Sequence, residues 1–128
     1  MGENRSPDLR TVLVVEDYED TRLAMRLSLE EQGYRVLEAE NGEQAVALAR
    51  RERPDIILMD LSLPVMDGLD AARHIRASPE TRETVIVAVT AHLETDYRTK
   101  ALAAGCNAYV TKPIDFEWLD DLLNNLLP

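Results

Sequence analysis

Asp55-Ile56-Ile57-Leu58-Met59-Asp60 is a run of four unbroken apolar residues that closes on a carboxylate. Pro54 precedes it, and Pro64 and Gly68 follow. A run of this length between such breaks reads as a strand buried on both faces, as in a parallel sheet. Parallel strands present functional side chains at their C-terminal ends, where open α/β sheets bind ligands. Asp60 stands at such an end. Taken alone it also has an ordinary reading, because Asp is common where a strand turns. The remainder of the chain decides between the two.

Outward from this run, the chain alternates strands and helices. Thr11 to Val15 is a β-branched, apolar strand ending in Glu16-Asp17. Glu19 to Gln32 has helical spacing, with Leu23, Ala24 and Leu27 as the apolar face and Gly33 as the stop. Arg35 to Ala39 alternates polar and apolar, which suits a half-exposed strand. Asn41-Gly42 opens a helix whose apolar face is Ala45, Val46, Leu48 and Ala49. Asp67-Gly68 opens a third helix, carrying Leu69, Ala72 and Ile75. Val85 to Val89 is a second buried run, closing at Thr90. A helix from about Glu94 to Ala104 stops at Gly105. Ala108 to Val110 is a short strand ending in Thr111-Lys112-Pro113, and Asp115 caps a last helix with Phe116, Leu119, Leu123 and Leu126 on one side.

Five strand–helix units in strict alternation predict a parallel sheet with helices on both faces. Right-handed crossovers restrict the topology, and the common doubly wound order for five units is 2-1-3-4-5. In that order the first and third strands are neighbours. Glu16, Asp17 and Asp60 therefore meet at the switch point, with Thr90 one strand away and Lys112 on the far edge. Residues 1–10 are polar and read as a flexible tail, and residues 11–128 read as one domain.

Composition narrows the functional classes. A chain of 128 residues suffices for one domain with a real core. Its net charge of −10 argues against direct contact with nucleic acid or an anionic membrane surface. Cys106 is the sole cysteine, so no intrachain disulfide or cysteine metal cluster is expected. No segment is apolar for long enough to span a membrane, and a cytoplasmic location is the expectation.

Three carboxylates converging on one crevice repel one another, and a cation relieves that repulsion. An all-oxygen donor set favours a hard ion, and Mg²⁺ characteristically combines one or two carboxylates with waters and phosphate oxygens. Thr90 and Lys112 supply a hydroxyl and a positive charge for phosphoryl oxygens. Asp60 then has the chemistry of a nucleophile that becomes an aspartyl phosphate. Each of these residues has an ordinary structural reading: a solvated turn for Glu16-Asp17, a β-branched strand residue for Thr90, a surface lysine for Lys112. Their joint appearance at the ends of four of the five expected strands favours the functional one. No glycine-rich phosphate loop or dinucleotide turn is present.

The motifs Val-Val-Glu-Asp (14–17), Met-Asp-Leu-Ser-Leu-Pro-Val-Met-Asp-Gly (59–68), Val-Thr-Ala (89–91) and Ala-Tyr-Val-Thr-Lys-Pro (108–113) resemble those of response regulator receiver domains in two-component signalling. The resemblance covers about residues 10–127. It implies a flavodoxin-like (βα)5 fold like that of the chemotaxis regulator. It makes Asp60 the phosphoacceptor, with Glu16 and Asp17 holding Mg²⁺ together with the backbone carbonyl of Ser62. It also makes Thr90 and Lys112 the phosphoryl contacts, Tyr109 the aromatic switch, and Ser62 and His92 the residues that tune phosphoryl lifetime. A cis bond before Pro113 is typical of the family. The donor would be a sensor histidine kinase or histidine phosphotransfer protein, and the target would bind the 94–127 face of a monomer or weak dimer. The chain would be a stand-alone regulator or a receiver excised from a hybrid kinase, with no activity beyond its own phosphorylation and dephosphorylation. Two rivals remain open: a Mg²⁺-dependent phosphohydrolase with an Asp nucleophile, and a degenerate receiver acting only as a binding module. The first needs an acid–base carboxylate at position 62, where Ser62 stands.

Overall fold

A computed structural model describes residues 10–91 and 95–127. The strands are β1 (Thr11–Val15), β2 (Arg35–Ala39), β3 (Ile56–Asp60), β4 (Val85–Thr90) and β5 (Ala108–Thr111). The helices are α1 (Glu19–Glu31), α2 (Gly42–Glu52), α3 (Gly68–Ala77), α4 (Thr95–Ala103) and α5 (Phe116–Leu126). All pairings are parallel, in the order β2-β1-β3-β4-β5, as the alternation predicts. Residues 1–9 of the expected tail lie outside the described residues, as does His92; the carbonyl of Arg10 accepts the amide of Arg35 at 2.8 Å.

Side-chain alternation along the strands splits the core in two. Leu13, Val15, Ile57, Met59, Ile86 and Ala88 face one layer of helices, with Ala45, Ala49, Ala72, Ile75 and Ala101 against them. Val12, Val14, Ile56, Leu58, Val87 and Val89 face the other, against Met25, Leu29, Leu119 and Leu123. Thus α1 and α5 cover one face of the sheet, and α2, α3 and α4 cover the other. Every residue of β3 is buried, which accounts for its uninterrupted apolar sequence. The helix starts follow capping chemistry: Asn41, Asp67 and Asp115 each accept backbone amides of the following turn. Gly33 and Gly105 stand at positive φ just past α1 and α4.

The apolar face of α1 differs from the sequence expectation. Leu23 and Leu27 are exposed, and the helix buries Met25 and Leu29 instead. α1 has apolar residues on two stripes, so periodicity does not choose between them. Polar ties choose. Arg22 donates to the carbonyl of Glu16 at 3.0 Å and to Glu38 at 3.1 Å, and Gln32 donates to the carbonyl of Phe116 at 3.0 Å. These bonds fix the rotation of the helix at both ends and turn Leu23 and Leu27 to solvent.

Tyr34 closes the lower end of this layer, its hydroxyl donating to Asp120 at 2.9 Å. Burial, followed by the bond and negative charge of Asp120, pushes its phenol up to about 12. A folded-state pKa above the unfolded value means that the native state holds its proton longer. This interaction therefore stabilises the fold fully below the ordinary tyrosine value and is lost as pH rises from about 10 toward about 12. In an absorbance titration of the phenolates, Tyr34 should ionise late, and Tyr34→Phe should remove that late step.

Candidate functional site

The C-terminal ends of β1 and β3 are adjacent because the sheet order reverses between β2 and β3. One carboxylate oxygen from each of Glu16, Asp17 and Asp60 lies within 4.8 Å of the others. Glu16 is 2% exposed and Asp60 5%, while Asp17 is exposed. The crevice is thus an acidic floor with one solvated carboxylate at its rim. Three hard oxygen donors at this separation fit a divalent cation such as Mg²⁺ that keeps part of its water shell.

The loop carrying the acid pair is held from several sides. The amide of Glu16 donates to the carbonyl of Ala39 at 3.1 Å, and its carbonyl accepts Arg22. Its carboxylate accepts the amide of Tyr18 at 3.2 Å. Arg22 is locked in turn by Glu38, which also receives Arg26 at 2.7 Å. Sequence reasoning missed Arg22 and Glu38. They are separated by a strand boundary and a turn, and no motif marks them.

Lys112 is the positive member of the site. The order predicts it on the far edge, and its backbone is there, with its amide on the carbonyl of Thr90 at 2.8 Å and a cis bond to Pro113. Its side chain, however, crosses over β4. Nζ donates to Asp60 Oδ2 at 2.8 Å and to Glu16 Oε1 at 2.9 Å. Burial alone lowers the Lys112 pKa, but the bonds to Asp60 and Glu16 more than offset it, so the ammonium is held above its usual range. Burial raises Glu16, with the Lys112 bond opposing, and the net direction is up. Lys112 therefore neutralises the floor only in part.

The second oxygen of Asp60 accepts the amide of Ser62 at 2.8 Å, while the Ser62 side chain itself is exposed. Thr90 is buried at the end of β4, in register with Thr111. Tyr109 pairs with Ala88, so Tyr109 and Thr90 project from the same face of the sheet, and Tyr109 packs half-buried against the core on that side. Glu16, Asp17, Asp60, Ser62, Thr90 and Lys112 thus come together at one end of the sheet. Tyr109 lies two residue pairs back from Thr90 along it, and His92 lies outside the described residues.

Between α1 and the segment after β5 runs an open groove of about 460 Å³, walled by Ala24, Met25, Pro113, Ile114 and Phe116, with Lys112 among its lining residues.

Comparison with known proteins places this geometry. Residues 12–124 match the family model described as the response regulator receiver domain. The chain is 38% identical over 117 residues to the protein PilH of Pseudomonas aeruginosa, covering 91% of this chain and 96% of that protein. It is 37% identical over 105 residues to the polar-differentiation response regulator DivK of Brucella anthropi, covering 82% and 85% respectively. Among solved structures, the receiver domain of a Pseudomonas aeruginosa sensor histidine kinase, with a magnesium ion in its active-site cleft, superposes with a TM-score of 0.86 at 39% identity. That match covers 92% of this chain and 97% of the other. The chemotaxis protein CheY4 of Vibrio cholerae gives a TM-score of 0.87 at 28% identity over 93% and 99%.

Proposed function

We propose that this chain, which belongs to the response regulator receiver domain family, accepts its phosphoryl group on Asp60. Receiver domains are signalling domains that take part in phosphotransfer, and that role applies here. The observation that carries the residue assignment is the three-way contact at Asp60: one oxygen on Lys112, one on the Ser62 amide, with Glu16 and Asp17 alongside. The donor is a phosphohistidine on a sensor kinase or a phosphotransfer protein. An Asp60 oxygen attacks phosphorus in line, the P–O bond forms as the P–N bond breaks, and the histidine nitrogen leaves with the electron pair and takes a proton. Lys112 sits where it can follow the developing charge onto the phosphoryl oxygens. Glu16, Asp17, Asp60 and the Ser62 carbonyl would hold Mg²⁺, which would supply further charge neutralisation. The domain has no other turnover on this reading and works in the cytoplasm. Ser62 and His92, two residues beyond Asp60 and Thr90 in the chain, set how long the phosphoryl group lasts. Residues 11–128 act as one receiver unit.

The decisive experiment is mass spectrometry after incubation with acetyl phosphate and Mg²⁺. A hydroxylamine-labile phosphate on Asp60 supports the reading, whereas turnover of simple phosphate esters supports a phosphohydrolase. No labelling at all supports a binding module.

Output runs through the β4–β5 edge. A phosphoryl group adds roughly two negative charges and strong acceptors beside Thr90. Drawing the Thr90 hydroxyl toward it opens space on the face it shares with Tyr109. The reorganised surface is that of α4, β5 and α5, within the 94–127 face, where Leu102 and Trp118 are exposed for a target protein. Phosphorylation shifts this two-state equilibrium only by its differential interaction with the two forms. Beryllofluoride, a phosphoryl mimic, should therefore perturb wild-type NMR shifts from Asp60 out to α4–α5. Thr90→Ala should confine them to the loops around Asp60. Wild-type perturbations confined in the same way would remove the switch.

A further inference from the structure

Of the three carboxylates in the crevice, Asp17 has the least to hold it. The Glu16 carboxylate is fixed by Lys112 and the amide of Tyr18, and that of Asp60 by Lys112 and the amide of Ser62. Asp17 is exposed, and among the described residues its carboxylate has no hydrogen-bond or ion-pair partner. Its position therefore depends on the peptide that joins it to Glu16. The carbonyl of that peptide belongs to Glu16, and Arg22 Nη1 donates to it at 3.0 Å. A peptide is planar, so fixing its carbonyl orients the plane that carries the Asp17 Cα.

Arg22 is itself fixed from behind. Its Nε donates to Glu38 Oε1 at 3.1 Å, and Glu38 Oε2 accepts Arg26 Nη1 at 2.7 Å. Glu38 pairs with Val14 in the register of β1 and β2, one residue before Ala39, whose carbonyl accepts the Glu16 amide at 3.1 Å. The end of β2 thus holds both sides of Glu16: its amide directly, its carbonyl through Arg22. A guanidinium presents its donors in one rigid plane, so it passes the position of Glu38 on to the carbonyl. The Arg22 side chain is only 11% exposed, which keeps competing water away from the bridge.

We propose that Arg22 and Glu38 act as one positioning unit for Asp17 and set the Mg²⁺ affinity of the crevice from outside the ligand set. This rests on the reading of Glu16, Asp17 and Asp60 as the metal ligands. Groups that orient a ligand from behind typically carry roughly 10–100-fold in metal affinity. Charge acting through space predicts the opposite sign for Arg22. A guanidinium beside the crevice repels a divalent cation, so on charge alone its removal tightens Mg²⁺ binding. Positioning predicts that the same removal weakens it, because Asp17 loses its fixed backbone.

The test titrates Mg²⁺ alone into the full chain and follows the backbone amide NMR shifts of Asp17 and Asp60, which gives a dissociation constant with no phosphoryl chemistry involved. Arg22→Met keeps the buried stem and removes the donors. Glu38 retains Arg26, and Gln32 still ties the other end of α1 to the Phe116 carbonyl, so this variant should stay folded. Glu38→Ala removes the other half of the bridge. Each variant should weaken Mg²⁺ binding about tenfold. The double variant should also lose about tenfold, because the two residues act in series. Unchanged binding by either single variant overturns the proposal, even where stability falls, and leaves the pair as a tie between α1 and β2. Tighter binding by Arg22→Met overturns it too, in favour of charge alone. So does a loss of about a hundredfold in the double variant, the result for two independent contributions. A wild type whose Asp17 and Asp60 amides do not respond to Mg²⁺ overturns the metal-site reading itself, a separate result.

Discussion

Asp60→Asn should take up no phosphate from acetyl phosphate or from a phosphorylated kinase, and it should remain folded. The substitution keeps the volume and retains an oxygen for the Ser62 amide that now donates to Asp60 at 2.8 Å. It removes the negative charge and nucleophilicity that the attack requires. Folding survives because Lys112 retains Glu16 as a partner at 2.9 Å and one carboxylate of a mutually repelling trio is gone. Intact-mass measurement after labelling checks the first half, and a thermal melt checks the second. Uptake by Asp60→Asn at the wild-type rate would place the acceptor elsewhere.

The strand order and the meeting of Glu16, Asp17 and Asp60 were legible because they follow from period and alternation. The all-buried β3 can only be an inner strand, and the switch point between the first and third units then brings its last residue beside Glu16. What stayed illegible depends on distances between elements. Periodicity offered two stripes on α1, and hydrogen bonds from Arg22 and Gln32 to distant backbone carbonyls chose the one carrying Met25 and Leu29. Nothing in Leu-Pro-Val-Met-Asp-Gly announces the positive φ of Val65, or that the neighbouring Met66 carbonyl accepts the amide of Gly42 from another element. Lys112 was placed correctly in the chain, but its reach across β4 to two carboxylates depends on side-chain length in the folded sheet.

That reach sets up the second large effect. Lys112→Met should cost about 2–4 kcal/mol of stability near neutral pH without Mg²⁺, because it leaves the carboxylates of Glu16 and Asp60 buried without their cation. This lies below the usual cost of a broken buried pair, since the Lys112 side chain is 30% exposed and water can enter. The sign with pH follows from Glu16. Its pKa is already above the ordinary value, and removing the ammonium raises it further. A carboxylate whose folded pKa exceeds its unfolded value destabilises the fold above that folded pKa and ceases to do so as protonation sets in below it. The deficit of Lys112→Met should therefore shrink as pH falls into the weakly acidic range. Millimolar Mg²⁺ should offset it as well, by replacing the lost charge among Glu16, Asp17 and Asp60. Phosphorylation should remain impaired even when Mg²⁺ restores stability, because the ammonium that follows charge onto the phosphoryl oxygens is still missing. Chemical denaturation across pH, with and without Mg²⁺, measures the first two effects and acetyl phosphate labelling measures the third. A variant as stable as wild type at neutral pH without metal would mean that Lys112 does not neutralise this floor. Full recovery of labelling with Mg²⁺ would mean that the ion alone handles the transferred charge.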